Sequence, residues 1–351
     1  PLPHAEMDHG DSWISNVEFS PDGRLIASGD TEGNLAAWSA ESGQQQFFVK
    51  AHGPPVNVLA FSQDGKRLAT ASFDHLVRLC DVATGSMLRE FHGHTNSIFG
   101  LSFSADGTRL ASSCTDGSVR LWEVETGREI LKLGKNALSL GRIAFSPNGN
   151  RLLAASNANV VTVWDATPKS AATSPTVEFN PPGRVFAVEH ALDGRHVVSA
   201  GEDGVRIWDL VERKEKRHVQ KQMALDIALH PNQMQIAAVH PLDMKNQQAI
   251  GTQIWNLSDG SDVHAIRWED DPGFREHDIR LAISPDGKWI ASGGRHGARV
   301  RAMQDSITER PGYRLGPQDA KVWAIEFSPC NRFVAVRTGE EIRIFETSQL
   351  T

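Results

Sequence analysis

Apolar and polar residues alternate along this chain in bursts about six positions long, each closed by a cluster of turn-forming residues. Residues 97–104, Ser-Ile-Phe-Gly-Leu-Ser-Phe-Ser, send successive side chains to opposite sides, the period of a half-buried strand. Ala105-Asp-Gly107 then turns the chain, and residues 108–114 supply a second strand. Thr115-Asp-Gly117 turns it again into residues 118–124, which carry Trp122 near their end. Glu125-Thr-Gly127 leads into a fourth strand over 128–133. Asp-Gly and Thr-Gly suit these hairpins because glycine takes a positive φ at little steric cost. The pattern predicts a four-stranded antiparallel sheet, with strands a to d in chain order, and no helical periodicity competes with it.

The same unit recurs. Phe19-Ser-Pro-Asp-Gly23, Phe61-Ser-Gln-Asp-Gly65, Phe103-Ser-Ala-Asp-Gly107 and Phe145-Ser-Pro-Asn-Gly149 stand 42 residues apart. Weaker copies follow at Ala191-Leu-Asp-Gly194, Leu229-His-Pro-Asn232, Ile283-Ser-Pro-Asp-Gly287 and Phe327-Ser-Pro-Cys-Asn331. A fixed period of this size means one structural unit repeated about an axis. Strand c ends at Trp38, Cys80, Trp122, Trp164, Trp208, Trp255, near Ala302, and at Phe345. Too few residues follow Phe345 for another strand, whereas residues 2–8 are one strand long. The expectation is a single all-β domain over 1–351, a closed β-propeller of eight blades whose N-terminal segment completes the last sheet. The units start near 13, 55, 97, 139, 183, 223, 277 and 321. Closure leaves only short, protected edges. Seven blades is the alternative, should the degenerate seventh copy (291–308) fail to form one. The sixth copy carries an insertion at 240–251, and residues 268–277 lengthen the next connection, both on one face.

These residues resemble the WD-repeat β-propeller family. Its Trp-Asp pair stands at Trp164-Asp165 and Trp208-Asp209, with altered forms at Trp122-Glu123, Trp38-Ser39, Trp255-Asn256, Cys80-Asp81 and Phe345-Glu346. Its Gly-His stands at Gly93-His94, with His52 and His9 in related places. The resemblance implies a hydrogen-bonded chain through His94, Ser112, Asp116 and Trp122. It also implies His52, Thr70 and Asp74 in the second copy, broken where Cys80 replaces the tryptophan. The fourth, seventh and eighth copies lack most members, with Ala158 and His296 at the Asp sites. The near identity of residues 78–85 and 120–127 resembles regular bacterial arrays, in which such rings serve as the sensor or docking part of larger signalling proteins. Opening on Pro1 rather than Met, the chain is expected to be a piece of such a protein.

Composition narrows the partner. Acids outnumber bases 43 to 36, a formal charge of -7, which argues against a general nucleic-acid binder. Cys80, Cys114 and Cys330 show no metal spacing and read as reduced thiols, and no apolar run matches a membrane span. A cytoplasmic protein with no membrane contact is expected.

Catalytic motifs are missing: there is no GxSxG, HExxH, GxxxxGK[ST] or GxGxxG. The recurrent Asp residues fall at turns, where they bond backbone amides. Neither His92 with His94 nor His218, His230 and His240 has ligand spacing, so no metal and no cofactor is expected. The competing enzyme reading, a hydrolase or lyase site in the central channel, needs convergent charged groups. Val17, Val58, Leu101 and Ile143 on strand a are small or apolar, and argue against it.

A protein or peptide partner is therefore expected at the face where strand a begins. Trp13, Phe99, Phe186 and Trp323 stand at or near these entrances, with Asp226 and Arg280, while Phe73 and Arg295 precede the b–c Asp site. Aromatic and arginine side chains at such a mouth match interface anchors. The acidic run Glu269-Asp270-Asp271 would steer a basic partner. Trp268 beside it reads as lying outside the strand c core positions.

Overall fold

The structure is a computed structural model that describes residues 3–134, 140–156, 159–167, 176–191, 193–232, 235–241, 250–268, 280–294, 297–304, 312–317 and 320–350. The chain forms eight four-stranded antiparallel sheets, the blades of a propeller. Strand a, the first of each blade in chain order, spans Ile14–Phe19, Val56–Phe61, Ile98–Phe103, Leu140–Phe145, Val185–His190, Asp226–Leu229, Arg280–Ile283 and Ala324–Phe327. The seventh copy makes a full blade, with Trp289–Gly294, Gly297–Ala302 and Tyr313–Leu315 following its strand a. This decides for eight blades over seven.

The Ser-Pro-Asp-Gly phrase builds the a–b hairpin by satisfying its own backbone. In the first copy the Ser20 hydroxyl donates to Asp22 Oδ1 (2.7 Å), which accepts the Arg24 N–H (3.0 Å). The Leu25 N–H returns to Ser20 Oγ (2.9 Å), and Gly23 sits at φ 70°. The same bonds recur through Ser62 and Asp64, Ser104 and Asp106, and Ser146 and Asn148.

The core lies between blades. One cluster joins Met7, Phe333, Ile342 and Ile344 of the eighth blade to Ile14, Ile26 and Trp38 of the first. That contact is the seam of the ring. Residues Ala5–Asp8 pair antiparallel with Glu341–Glu346, Ala5 opposite Ile344 and Asp8 opposite Glu341. Arg332 and Glu41 bridge the same seam at 2.8 Å, and the Ile14 N–H reaches the Gly339 carbonyl at 2.8 Å. After Phe345 comes only a short 3-10 turn, Thr347–Leu350, which buries Leu350.

A detail at the start of strand a positions the binding face. In the first five blades its pairing with strand b slips by a bulge, between Ile14/Asn16, Val56/Val58, Ile98/Gly100, Leu140/Ile143 and Val185/Ala187. The extra residue leaves the ladder and its side chain is re-aimed. Phe99 and Phe186 occupy two of these bulges, and each is 39% exposed.

Candidate functional site

At the strand a entrances and the b–c turns, the structure presents an aromatic rim. Nine large apolar side chains are exposed among the described residues, and four of them, Trp13, Phe73, Phe99 and Phe186, stand here. Phe73 and Phe99 meet edge to face, centroids 5.8 Å apart, joining the second and third blades. Trp13 covers Gly339 at the seam. Trp323 is half-buried, with Lys321 Nζ 3.5 Å from its ring centroid. Arg295, Glu269, Asp270 and Asp271 lie outside the described residues.

Asp226 and Arg280 turn inward. Asp226 is half-buried, and its oxygens accept the N–H groups of Ile227 and Leu281, both at 3.0 Å. Burial pushes its carboxyl up, against the pull of Arg280 and other nearby groups.

Behind the rim the channel is charged. A cavity of about 710 Å³ is lined by Val17, Val58, Leu101 and Ile143, but also by Asn16, Glu18, Asn57, Arg142 and Glu326. This corrects the reading of strand a as small or apolar toward the axis. The polar groups are single residues inside otherwise apolar strands, and at several positions they follow one rule. The penultimate side chain of strand a accepts the N–H of the last strand a residue in the next blade. Glu326 accepts from Phe19, Glu18 from Phe61, Ser102 from Phe145 (3.1 Å) and Glu189 from Leu229 (3.1 Å). An unpaired N–H on the innermost edge would otherwise lack a protein partner.

Holding carboxylates there shifts them. Burial pushes Glu326 up to about 8. Burial and then the Glu326 charge hold Glu18 well above the usual carboxylate range. Burial and then Asp226 push Glu189 up to about 7. Among the described residues lining the cavity there is no histidine, cysteine or hydroxyl side chain.

Each motif-bearing blade is locked from within. His94 Nδ1 faces Asp116 Oδ2 at 3.3 Å and its Nε2 meets Ser112 Oγ at 2.7 Å, while Trp122 Nε1 donates to the same oxygen at 2.8 Å. With the proton on Nδ1, the Ser112 hydroxyl donates to Nε2 and accepts from Trp122, so every member is satisfied. Burial pushes His94 down to about 4, which keeps the ring neutral. The first blade repeats this fully: His9 bonds Asp30 (2.9 Å) and Ser28 (2.7 Å), and Trp38 donates to Ser28 (2.8 Å). The sequence reading marks His9 and Trp38 there, but not Ser28 or Asp30. In the second blade His52 bonds Thr70 and Asp74, both at 2.9 Å, and Arg78 binds Asp74 at 2.6 Å. With Cys80 in the tryptophan's place the chain stops at Thr70.

Trp268 is core, contrary to its reading as a loop-border residue. It is 2% exposed and donates from the end of strand d to Thr252 Oγ1 on strand c at 2.8 Å. His94, Cys114 and Asp116 bring donor atoms within 4.8 Å of one another. Those atoms are already engaged: Cys114 Sγ donates to the Asn96 carbonyl (3.1 Å) and accepts the Asp116 N–H (3.3 Å), and burial pushes the thiol up to about 11. Cys80 is buried too, and Cys330 is exposed.

Comparison with known proteins agrees with this architecture. The model of the WD domain, G-beta repeat, matches residues 4–39, 43–81, 85–123, 135–165 and 272–298. A Protein LST8 homolog from Drosophila melanogaster is 32% identical over 183 residues, 49% of this chain and 54% of that protein, so the match spans about half of the relative. Among the described residues no helix is long and apolar enough to cross a membrane. Eight four-stranded blades, the buried His-Ser-Asp-Trp networks and five matched repeats place this chain in the WD-repeat β-propeller family.

Proposed function

We propose that this protein is a rigid docking module that holds a peptide or protein partner on the face where strand a begins, without catalysing a reaction on it. Membership of a family that serves mainly as interaction scaffolds supports the general reading. The observation that carries the finer one is the aromatic rim. Trp13, Phe73, Phe99 and Phe186 are between 39% and 52% exposed on one face of a rigid ring. Bulges, rather than flexible loops, aim two of them. Rigid aromatic side chains lose little entropy on contact and bury large areas, the profile of binding anchors. As the docking or sensing part of a larger signalling protein, the ring would work in a cytoplasmic setting. Neither a nucleic acid nor a membrane is the partner in this reading.

The test is partner capture with defined surface variants. A Trp13→Ser, Phe99→Ser double variant should lose the proteins that the wild-type chain retains, with unchanged melting. Val211, 65% exposed on the c–d turn of the opposite face, gives the control Val211→Ser, which should retain them. Equal loss in both variants, or none in the double variant, refutes the assignment.

A further inference from the structure

Where strand b begins, an arginine recurs one repeat apart in three blades, as Arg67, Arg109 and Arg151. Two of them reach across to the next blade. Arg109, 8% exposed, donates through Nη2 to the Gly149 carbonyl at 3.0 Å and through Nη1 to the Ala166 carbonyl. Arg151 donates to the Gly194 carbonyl at 3.0 Å. Both glycines belong to the a–b turn of the following blade, so a guanidinium joins blades three and four, and another joins four and five. Arg67 departs from this pattern. Its Nη2 pairs with Glu125 Oε2 at 3.1 Å, and its side chain is 33% exposed. The cause is local: Thr167 stands in the fourth blade where the third has Glu125, so Arg109 lacks that carboxylate partner. With Arg67 drawn toward Glu125, a groove of about 660 Å³ lies between blades two and three. Gly107, the counterpart of Gly149, lines it together with Asp64, Asp106, Glu123 and Glu125.

We propose that this groove, on the face opposite the aromatic rim, takes an arginine side chain of a peptide partner, its guanidinium occupying the place that Arg109 and Arg151 fill in the next two interfaces. The chain thus carries two internal examples of the occupant. Charge agrees with them: the lining holds four carboxylates against Arg67, a balance of three negative charges. The Ser104 hydroxyl and then the Thr108 N–H hold Asp106 down to about 2, and Ser62 and Lys66 lower Asp64 in the same way, so both are ionised at neutral pH. These turn bonds go to Oδ1 of each aspartate, which leaves the second oxygen for an incoming donor. A guanidinium suits such a lining better than an ammonium does. Its N–H groups lie in one plane and serve a carbonyl and a carboxylate together, as a point charge does not. Because the groove and the rim stand on different faces, this site is independent of peptide docking on the rim.

The test is an NMR titration of the whole chain with a short glycine–serine peptide carrying one central arginine, and with its lysine and citrulline counterparts, at constant ionic strength. The arginine peptide is expected to bind with a Kd of about 1 mM or below. Lysine should bind at least about threefold more weakly, and citrulline, which keeps the shape without the charge, at least about tenfold. Asp106→Asn combined with Glu123→Gln should weaken the arginine peptide at least about tenfold. That variant should keep the wild-type melting temperature, since Asn148 builds the same turn in the fourth blade. Arg67→Ala removes the cation that lines the groove and should tighten binding about twofold or more. The Trp13→Ser, Phe99→Ser rim variant should bind the arginine peptide as wild type does, whether or not the rim captures a partner. The proposal is overturned if the arginine peptide does not bind, if the groove variant retains it, or if the rim variant loses it. Equal binding of lysine or citrulline also overturns it, because the guanidinium would then not be what the groove selects.

Discussion

The hydrogen-bonded networks inside the blades give the sharpest stability prediction, because two of them differ in a countable way. Ser112→Ala removes one oxygen but strands two buried groups, Trp122 Nε1 and His94 Nε2, which lie 2.8 and 2.7 Å from it. Thr70→Val removes the equivalent oxygen in the second blade and strands only His52 Nε2, at 2.9 Å, since Cys80 has no donor to lose there. Thr70 and Ser112 are both fully buried, so water does not reach the abandoned groups without local opening. A buried polar group left unpaired costs about 1–3 kcal/mol. The serine variant should therefore lose about 2–4 kcal/mol, and the valine variant about 1–2 kcal/mol. Ser28→Ala should resemble Ser112→Ala, since His9 and Trp38 converge on it at 2.7 and 2.8 Å. Urea unfolding followed by tryptophan fluorescence and by circular dichroism measures this, provided the two probes coincide and the m-value is constant. Equal losses at Thr70 and Ser112 would show that orphaned donors do not set the cost.

Other outcomes follow from the seam and the channel. Met7→Asp places a charge in the cluster that joins the first and last blades, where Met7 is 2% exposed. It should cost at least about 3 kcal/mol or prevent folding, and a surface Glu6→Asp on the same strand should not, as thermal melts would show. Glu326 takes up protons more readily in the folded ring, at about 8, than in the unfolded chain. Its contribution is thus fully present below its unfolded value and is lost as pH rises through about 8. Glu326→Gln keeps an acceptor for the Phe19 N–H and should be more stable than wild type at pH above 8, by about 2 kcal/mol once channel water screens the charge, with the gap closing toward pH 5. An unchanged gap across that range refutes this. Trp268→Phe loses the bond to Thr252 and should cost about 1–2 kcal/mol, read by the same unfolding assay.

How far the letters carry the structure depends on whether the information is local. The a–b hairpins are legible because Ser20, Asp22 and Gly23 act within five residues of one another and repeat. The network through His94, Ser112, Asp116 and Trp122 is legible because its members recur at fixed offsets. What escaped is what depends on neighbouring blades. The bulges that expose Phe99 and Phe186 leave no mark in alternation, since a slipped strand has the same letters. Trp268 looked like a loop-border residue because it ends strand d rather than strand c, and its bond to Thr252 depends on the pairing of those two strands. Glu18, Glu189 and Glu326 are single acids in apolar strands, and their acceptor role requires a partner in the next blade, which for Glu326 is the first blade, reached only across the ring closure.

That inter-blade role explains why the channel can hold charge at all. An innermost strand in a propeller has a free edge toward the axis, and its N–H groups need acceptors that no fifth strand supplies. Ser102 shows that a neutral hydroxyl suffices, at 3.1 Å from the Phe145 nitrogen. Glutamate at Glu18, Glu189 and Glu326 therefore exceeds what the edge requires. These three acids sit beside the a–b turns, whereas Asp226 and Arg280 open their strands at the rim end, so the inner edge carries polar groups at both ends and each acid is held by a neighbouring blade's backbone N–H.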